Sequence, residues 1–416
     1  MSSRLQVLLD FGGNTLPTLI GECFWVASER LVAFAWDKDF VSSTLNVSPI
    51  HLPFQLSVIK APHTPFDGLH GLFADSIPDG FGLRLMNQGL SRAGLSLAEI
   101  NPLHRLAWVG QHGVGALSYK PIIDSTDHRA LNHLSEIAEF AKLTEAEIIQ
   151  VIPPSAIKAG GSALGARPKF WASLTEDGKN IILGDTFKNP SGFIPSLLKF
   201  APAYGDQNEP FYEAACLSLA QVHGIHAASA SLLLHDQATA LAVKRFDRTA
   251  SGERVHTQSV AALLNDNFRI PHLDYIDLVR LSGRLSSEPQ SEMIFRQACF
   301  NVALSIRDDH SKNFAFCMDQ QGSWKLSPAF DLCPCDGPNG WHTMTISGEG
   351  QNITRDHLLK FAQSIHLSPI VALDAIENAL SAASQFEAKS VALGASKSGA
   401  KKWAKKLNAI GKELLH

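Results

Sequence analysis

The chain has 416 residues, 45% of them apolar and 18% charged, with a net charge of −4. That length buries a large core and favours two or three domains or lobes, and the small charge gives no global attraction to nucleic acid. No run approaches the ~18 consecutive apolar residues of a membrane helix. The first apolar run meets Asp10 too early for a secretory signal, and six irregularly spaced cysteines suit reduced thiols. The expectation is a cytoplasmic protein with no membrane contact.

Leu5–Asp10 and Leu31–Trp36 read as strands among Gly and Pro turns. Residues 65–82, rich in glycine and aromatic side chains, open a helix over Leu83–Leu90, and another helix starts at Ser96. Trp108–Tyr119 carries three glycines in a strand-like frame, which suggests a tight turn. Residues 1–120 therefore read as a β-rich module. Helices resume over His133–Phe140 and Thr144–Val151, where Thr144 and Glu147 match a capping box. Gly160–Leu174 is a glycine-rich turn followed by a strand. Its backbone N–H groups suit phosphate, but it matches neither a P-loop nor a dinucleotide fingerprint, and ordinary turn chemistry explains it equally well.

Ile194–Phe200 is a strand with one lysine, Lys199, among apolar neighbours. A buried ammonium is costly unless it finds an anion or snorkels to water. Asn208 and Pro210 start the helix Phe211–Ala220, which puts Glu209 or Glu213 within sequence reach of Lys199. Ala228–Leu234 and Ala238–Phe246 read as a hairpin running into the connector Val243–Arg248. Helices follow over Ser259–Leu264, Tyr275–Leu285 and Glu288–Ile306, the last with Pro289 in its first turn.

The next stretch, Ser305–Phe316, is densely polar. It carries Asp308 and, five residues on, Asn313. A hairpin turning at Asp319–Gly322 and returning through Trp324–Leu326 leads to Asp331. An Asp, an Asn five positions later and a second Asp past a hairpin is how kinases arrange a base and two Mg²⁺ ligands. The bland alternative is a polar loop with Asp308 or Asp309 ending a helix. Asp308, Asp309 and His310 of a metal-dependent hydrolase rank lower, and Cys333 with Cys335 would be only half a metal site. Met344–Gly350 is a short strand or loop, and helices run over Arg355–Phe361, Ile370–Ser384 and Glu387–Leu415. The lysines of the last segment (Lys397, Lys401, Lys402, Lys405, Lys406, Lys412) read as a solvated face, with DNA or an acidic partner as the alternative.

Four stretches, Ile77–Gly82, Gly165–Lys169, Val243–Arg248 and Asp308–Asn313, together with Phe330–Asp331, carry a resemblance in order and spacing across nearly the whole chain. The sequence resembles the HipA family of bacterial serine/threonine kinases, the toxins of type II toxin–antitoxin modules. The resemblance implies an α+β, two-lobed protein-kinase-like fold: a β-rich module over 1–120, a kinase N-lobe over 121–248 and a helical C-lobe over 249–416. Asp308 would be the catalytic base, and Asn313 and Asp331 would hold Mg²⁺. Lys199 would bind the α/β-phosphates of ATP, and Gly165, Ala166 and Lys169 belong to the nucleotide-covering loop. The backbone at Val243, Lys244 and Phe246 would face adenine, and Asp247 the ribose. Ser162 falls where the family carries an autophosphorylated serine, a modification whose charge would oppose ATP binding. Two residues depart from the family pattern: Asp309, beside the base where glycine is common, and Lys244, where an acid can occur. The implied partners are a protein substrate, an aminoacyl-tRNA synthetase being one known kind, and a small helix-turn-helix, HipB-like antitoxin that brings DNA in indirectly. A small-molecule phosphotransferase and a non-catalytic co-repressor scaffold are the competing readings; the intact Lys199, Asp308, Asn313 and Asp331 set argues against the scaffold.

Overall fold

The structure is a computed structural model. It describes residues 3–123, 154–161, 163, 168–184, 191–201, 205–235, 238–249, 251–286, 288 and 290–415, with 134, 136, 137, 139 and 147 between them. The helices expected over His133–Phe140 and Thr144–Val151 and the residues Pro289, Ser162, Gly165 and Ala166 fall wholly or largely outside that set.

The described chain forms two compact units. The first comprises Met1–Asp206, Leu233–Asp266 and Cys317–Ser323. Its opening sheet has five strands, β1 (Arg4–Leu9), β2 (Thr18–Val26), β3 (Leu31–Trp36), β4 (Ile59–Lys60) and β5 (Leu117–Lys120), in the order β4-β3-β2-β1-β5. Leu5, Val7 and Leu9 of β1 are buried while Arg4 and Gln6 are exposed, the period-two pattern of a half-buried strand. Phe34 of β3 meets Trp36 edge-on at 4.9 Å and Phe73 at 5.0 Å.

Three helices follow β4: α1 (Gly71–Ala74), α2 (Gly80–Arg92) and α3 (Pro102–Val109). The last corrects the sequence reading, since Trp108 and Val109 end a helix rather than start a strand. Asn101 caps it, accepting from Leu103 N (3.0 Å) and His104 N (3.2 Å), with Pro102 in the first turn. No helix starts at Ser96, where Glu99 binds back to Ser96 in a turn. Helix α4 (Pro154–Gly160) was also unforeseen. Its Lys158 donates to the carbonyls of Trp108 and Ile123 and lies over the Trp108 ring. Gly82, in one of the family-like stretches, is needed for close approach: a Cβ there would stand 2.6 Å from Ala163 O and 3.0 Å from Gly160 O.

The second sheet runs β7-β6-β8-β10-β9, with β6 (Lys169–Thr175), β7 (Ile181–Leu183), β8 (Phe193–Phe200), β9 (Ala230–His235) and β10 (Ala238–Lys244). Strand β11 (His256–Ser259) leads into α6 (Val260–Leu264), whose cap Ser259 is held by the buried carboxylate of Asp75.

The second unit comprises Gln207–Leu232, Asn267–Phe316 and Trp324–His416. It is mainly helical: α5 (Glu209–Val222), α7 (Tyr275–Leu285), α8 (Ser291–Ala303), α9 (Arg355–Ser364), α10 (Pro369–Leu393) and α11 (Lys397–Leu415). On α10 the buried residues Ala372, Ala375, Ile376, Ala379, Ala382, Ala383 and Phe386 recur every three or four positions. The small size of the five alanines among them lets α8 approach. Gly394, at φ +120°, ends α10, so the basic segment expected as one helix from Glu387 is two. Strands β12 (Ala315–Met318) and β13 (Trp324–Leu326) form the expected hairpin, closed by Ser327 N to Ala315 O at 2.9 Å. Among the described residues no helix is long and apolar enough to cross a membrane.

Candidate active site

Helix α8 is nearly all buried, from Ile294 to Ala303, and it ends where Ser305 turns left-handed at φ +52°. Ile306 N returns to Asn301 O at 2.8 Å, which turns the chain out of the core and into the polar loop. Asp308 and Asp309, adjacent in sequence, then take opposite directions. The Asp308 side chain is 68% exposed, with Oδ1 3.7 Å from His310 Nε2. Asp309 is buried. Its Oδ2 accepts from the Tyr275 hydroxyl (2.9 Å) and pairs with His342 Nδ1 (2.8 Å), and its Oδ1 accepts from Thr343 N (2.8 Å). A carboxylate only accepts, so His342 donates from Nδ1. Burial, and then the Asp309 charge, raise the Tyr275 phenol well above its ordinary range, which keeps it a donor. The Asp309 carboxylate, which departs from the family pattern, is therefore turned inward and holds the loop to Tyr275, His342 and Thr343.

Further bonds hold the backbone around Asp308. Thr343 Oγ1 donates to Arg307 O (3.1 Å), Cys335 N to Ser305 O (2.9 Å), and Asp308 N to Cys335 Sγ (3.2 Å). Burial, and then the Asp308 charge, push the Cys335 thiol up, so it stays an uncharged acceptor. Asn313 closes a 3₁₀ turn over Ser311–Asn313, and its Nδ2 donates to Asp308 O at 2.7 Å. That bond fixes the amide nitrogen inward, so a metal ion held by this residue would meet its amide oxygen. Asp331 is half-buried and left-handed at φ +58°, a conformation that Asp tolerates better than most residues. Amide and carboxylate oxygens are hard donors of the kind Mg²⁺ takes, so the chemistry of each residue suits the ion.

Tyr275, Asn301, His342 and Thr343 were missed by sequence reasoning, and Cys335 was weighed only as half a metal site. Asn301, a lone amide in the apolar run Cys299–Leu304, was the only visible signal; its Nδ2 donates to the Tyr275 hydroxyl at 2.8 Å.

The expected nucleotide residues that are described lie in the first unit. Lys169 and Lys199 stand directly across from each other in the β6–β8 ladder, Lys169 buried and Lys199 half-buried. Val243, buried, faces Leu197, and Lys244, exposed, faces Ser196 in the β10–β8 ladder. Phe246 is half-buried.

Asp247, the residue expected at the ribose, sits in a buried cluster of charges. It is buried, and it accepts from Arg245 Nε (2.8 Å) and Nη2 (2.7 Å), Arg248 Nη1 (2.9 Å) and Gly115 N (2.8 Å). Arg248 and Arg245 also reach Gly113 O, and the Arg245 guanidinium lies 3.9 Å over the Trp171 ring. This knot ties the connector to the 113–115 turn. Burial alone would raise the Asp247 pKa, but the two guanidiniums pull it well below the usual carboxylate range. Asp247→Asn is expected to destabilise the fold by about 3–5 kcal/mol, because two buried cations lose their counter-charge. A folded-state pKa below the unfolded ~3.9 contributes stability above that pH and loses it below. The deficit of the variant in denaturant melts should therefore be constant above about pH 5 and shrink only below about pH 4.

Two family models match the chain: the HipA N-terminal domain over residues 17–120 and the HipA-like C-terminal domain over residues 161–386. The chain belongs to the HipA family. Among solved structures it is similar to HipA of Shewanella oneidensis MR-1, determined in a complex with HipB and its operator DNA. Identity is 18%, the TM-score is 0.69, and the match covers 99% of this chain and 97% of that one. The HipA family member described here therefore has the kinase-like α+β fold. The Helicobacter pylori proinflammatory kinase CtkA matches at 14% identity over 52% of this chain and 92% of that one, with a TM-score of 0.33, too low to argue a shared fold.

Proposed function

We propose that this HipA family member is an ATP- and Mg²⁺-dependent serine/threonine-protein kinase, the toxin of a type II module. The observation that carries the reading is the split of Asp308 from Asp309. Asp309 is clamped inside, and Asp308 just before it stands exposed on a backbone bonded at both its N–H and its carbonyl. That is the preorganisation phosphoryl transfer needs, since the reaction depends on positioning and charge neutralisation more than on covalent chemistry. Asp308 accepts the proton of the attacking hydroxyl. Asn313 and Asp331 offer their oxygens to Mg²⁺, which when bound neutralises the phosphate charge. Lys199, with Lys169 beside it, binds the phosphates of ATP, and the backbone at Val243, Lys244 and Phe246 faces the adenine.

The three-part division at 120 and 248 belongs to the same proposal, as does a cytoplasmic location. The substrate is a cytoplasmic protein, an aminoacyl-tRNA synthetase being one candidate, and its modification arrests growth. Ser162 is the site of self-modification. A small helix-turn-helix antitoxin of the HipB kind holds the toxin in check and links it to DNA, a partnership supported by the Shewanella HipA–HipB–operator complex.

Mg²⁺ titration of ATP turnover tests the metal assignment. Asp331→Asn should raise the Mg²⁺ concentration for half-maximal rate by about tenfold or more, since even outer-shell partners of a metal are worth that much. An unchanged Mg²⁺ dependence would remove Asp331 from the site, and absence of turnover by the parent at every Mg²⁺ concentration would remove the kinase.

A further inference from the structure

The second unit holds a cationic feature beside Asp308 that the proposed transfer does not use. Phe268, half-buried, packs its ring 5.2 Å from that of His310, the residue whose Nε2 approaches the Asp308 carboxylate. The same ring carries two cations, Arg269 with Cζ at 4.5 Å and Lys312 with Nζ at 4.7 Å. A ring quadrupole holds each by about 0.5–2 kcal/mol, and it restrains side chains that would otherwise sweep through solvent. Arg269 is exposed and forms no ion pair with a described residue. Ile270, next to it, is 60% exposed. Of the two carboxylates in this loop, Asp309 is enclosed by Tyr275, His342 and Thr343, and Asp308 is reserved for the proton. Two like charges gathered on one ring, one of them without a counter-ion, form an arrangement that an incoming anion relieves.

We propose that Arg269, held on Phe268, selects phosphoacceptor segments that carry an acidic side chain a few residues from the reacting hydroxyl. The inference rests on the kinase reading and deepens it by naming a substrate class. The contacts from Asp308 through His310 and Phe268 to Arg269 string together to about 15 Å at most, the reach of about four extended residues. The acid is therefore expected about two to four positions from the acceptor, with Ile270 offering an apolar neighbour to the same segment. The transfer is the ordinary one: the hydroxyl oxygen bonds to the γ-phosphorus of ATP, the bond to the β–γ bridging oxygen breaks, ADP leaves, and the hydroxyl proton passes to Asp308.

The test uses two peptides with one serine each and equal length, one with glutamates and one with lysines at those flanking positions, on the full chain and on R269Q and R269E. The full chain should label the acidic peptide with a kcat/KM about two- to fivefold higher, the scale of one exposed ion pair, with the difference in KM rather than kcat. R269Q should lose the preference and R269E reverse it, with melting temperatures unchanged because the side chain is exposed. The same preference in all three proteins overturns the inference. So does a protein that labels itself but neither peptide. Loss of Asp308-dependent label everywhere overturns the kinase reading, and this inference with it.

Discussion

Asp308→Asn is expected to lower kcat by about 10²–10⁴-fold, the usual contribution of a positioned general base, and to leave the melting temperature where it is. Asparagine fills the same volume but cannot take a proton. The wild-type side chain is 68% exposed, so the fold gains little from it. The loop keeps its course because its anchors are elsewhere: Asp308 N on Cys335 Sγ, Asp308 O on the Asn313 amide, and Arg307 O on Thr343. KM for ATP should change little, because the lysines assigned to the nucleotide lie on β6 and β8. Steady-state kinetics with a thermal melt on the same sample checks all three statements. A variant with parental kcat would show that the proton goes elsewhere.

Asp309→Ala, one residue on, should do the reverse. It removes the acceptor for a buried phenol, a buried imidazole N–H and a buried backbone N–H, and truncating one side of such a network costs about 3–5 kcal/mol. Urea unfolding should show a midpoint well below that of the parent. Activity should fall too, since the loop that aims Asp308 loses its inner anchor. Asp309→Asn should lie between, because its amide oxygen can still accept while its NH₂ meets a donor. A neutral Asp309→Ala would mean that Tyr275, His342 and Thr343 find other partners at no cost.

Why these two aspartates differ was not legible in the sequence, where both read as charges in one polar loop. Which of them turns inward is decided by Tyr275, 34 residues before Asp309, and by His342 and Thr343, 33 and 34 residues after it. No local pattern reports such separations. Asp247 is the same case: Arg245 and Arg248 are local, but Gly115, which completes the knot, is 132 residues away. Elements whose residues carry their own instructions were legible. Leu31–Trp36 is a β-branched and aromatic run, Tyr275–Leu285 has a helical stripe behind Asp274, and Trp324–Leu326 follows a turn set by Asp319 and Gly322. The helix at Pro102 announced itself by Asn101 and Pro102, but the three glycines after it dominated the reading. Family-like spacing pointed to Asp308, Asn313 and Asp331. The bond from the Asn313 amide nitrogen to Asp308 O leaves no trace in that spacing.

The most direct measurement is incubation of the purified protein with Mg²⁺ and γ-labelled ATP beside Asp308→Ala, followed by mass spectrometry of both. Label is expected on Ser162 of the parent protein and none on the variant. Label that persists in Asp308→Ala would contradict the assignment of the base, and no label in unphosphorylated parent protein that binds ATP would contradict the kinase itself.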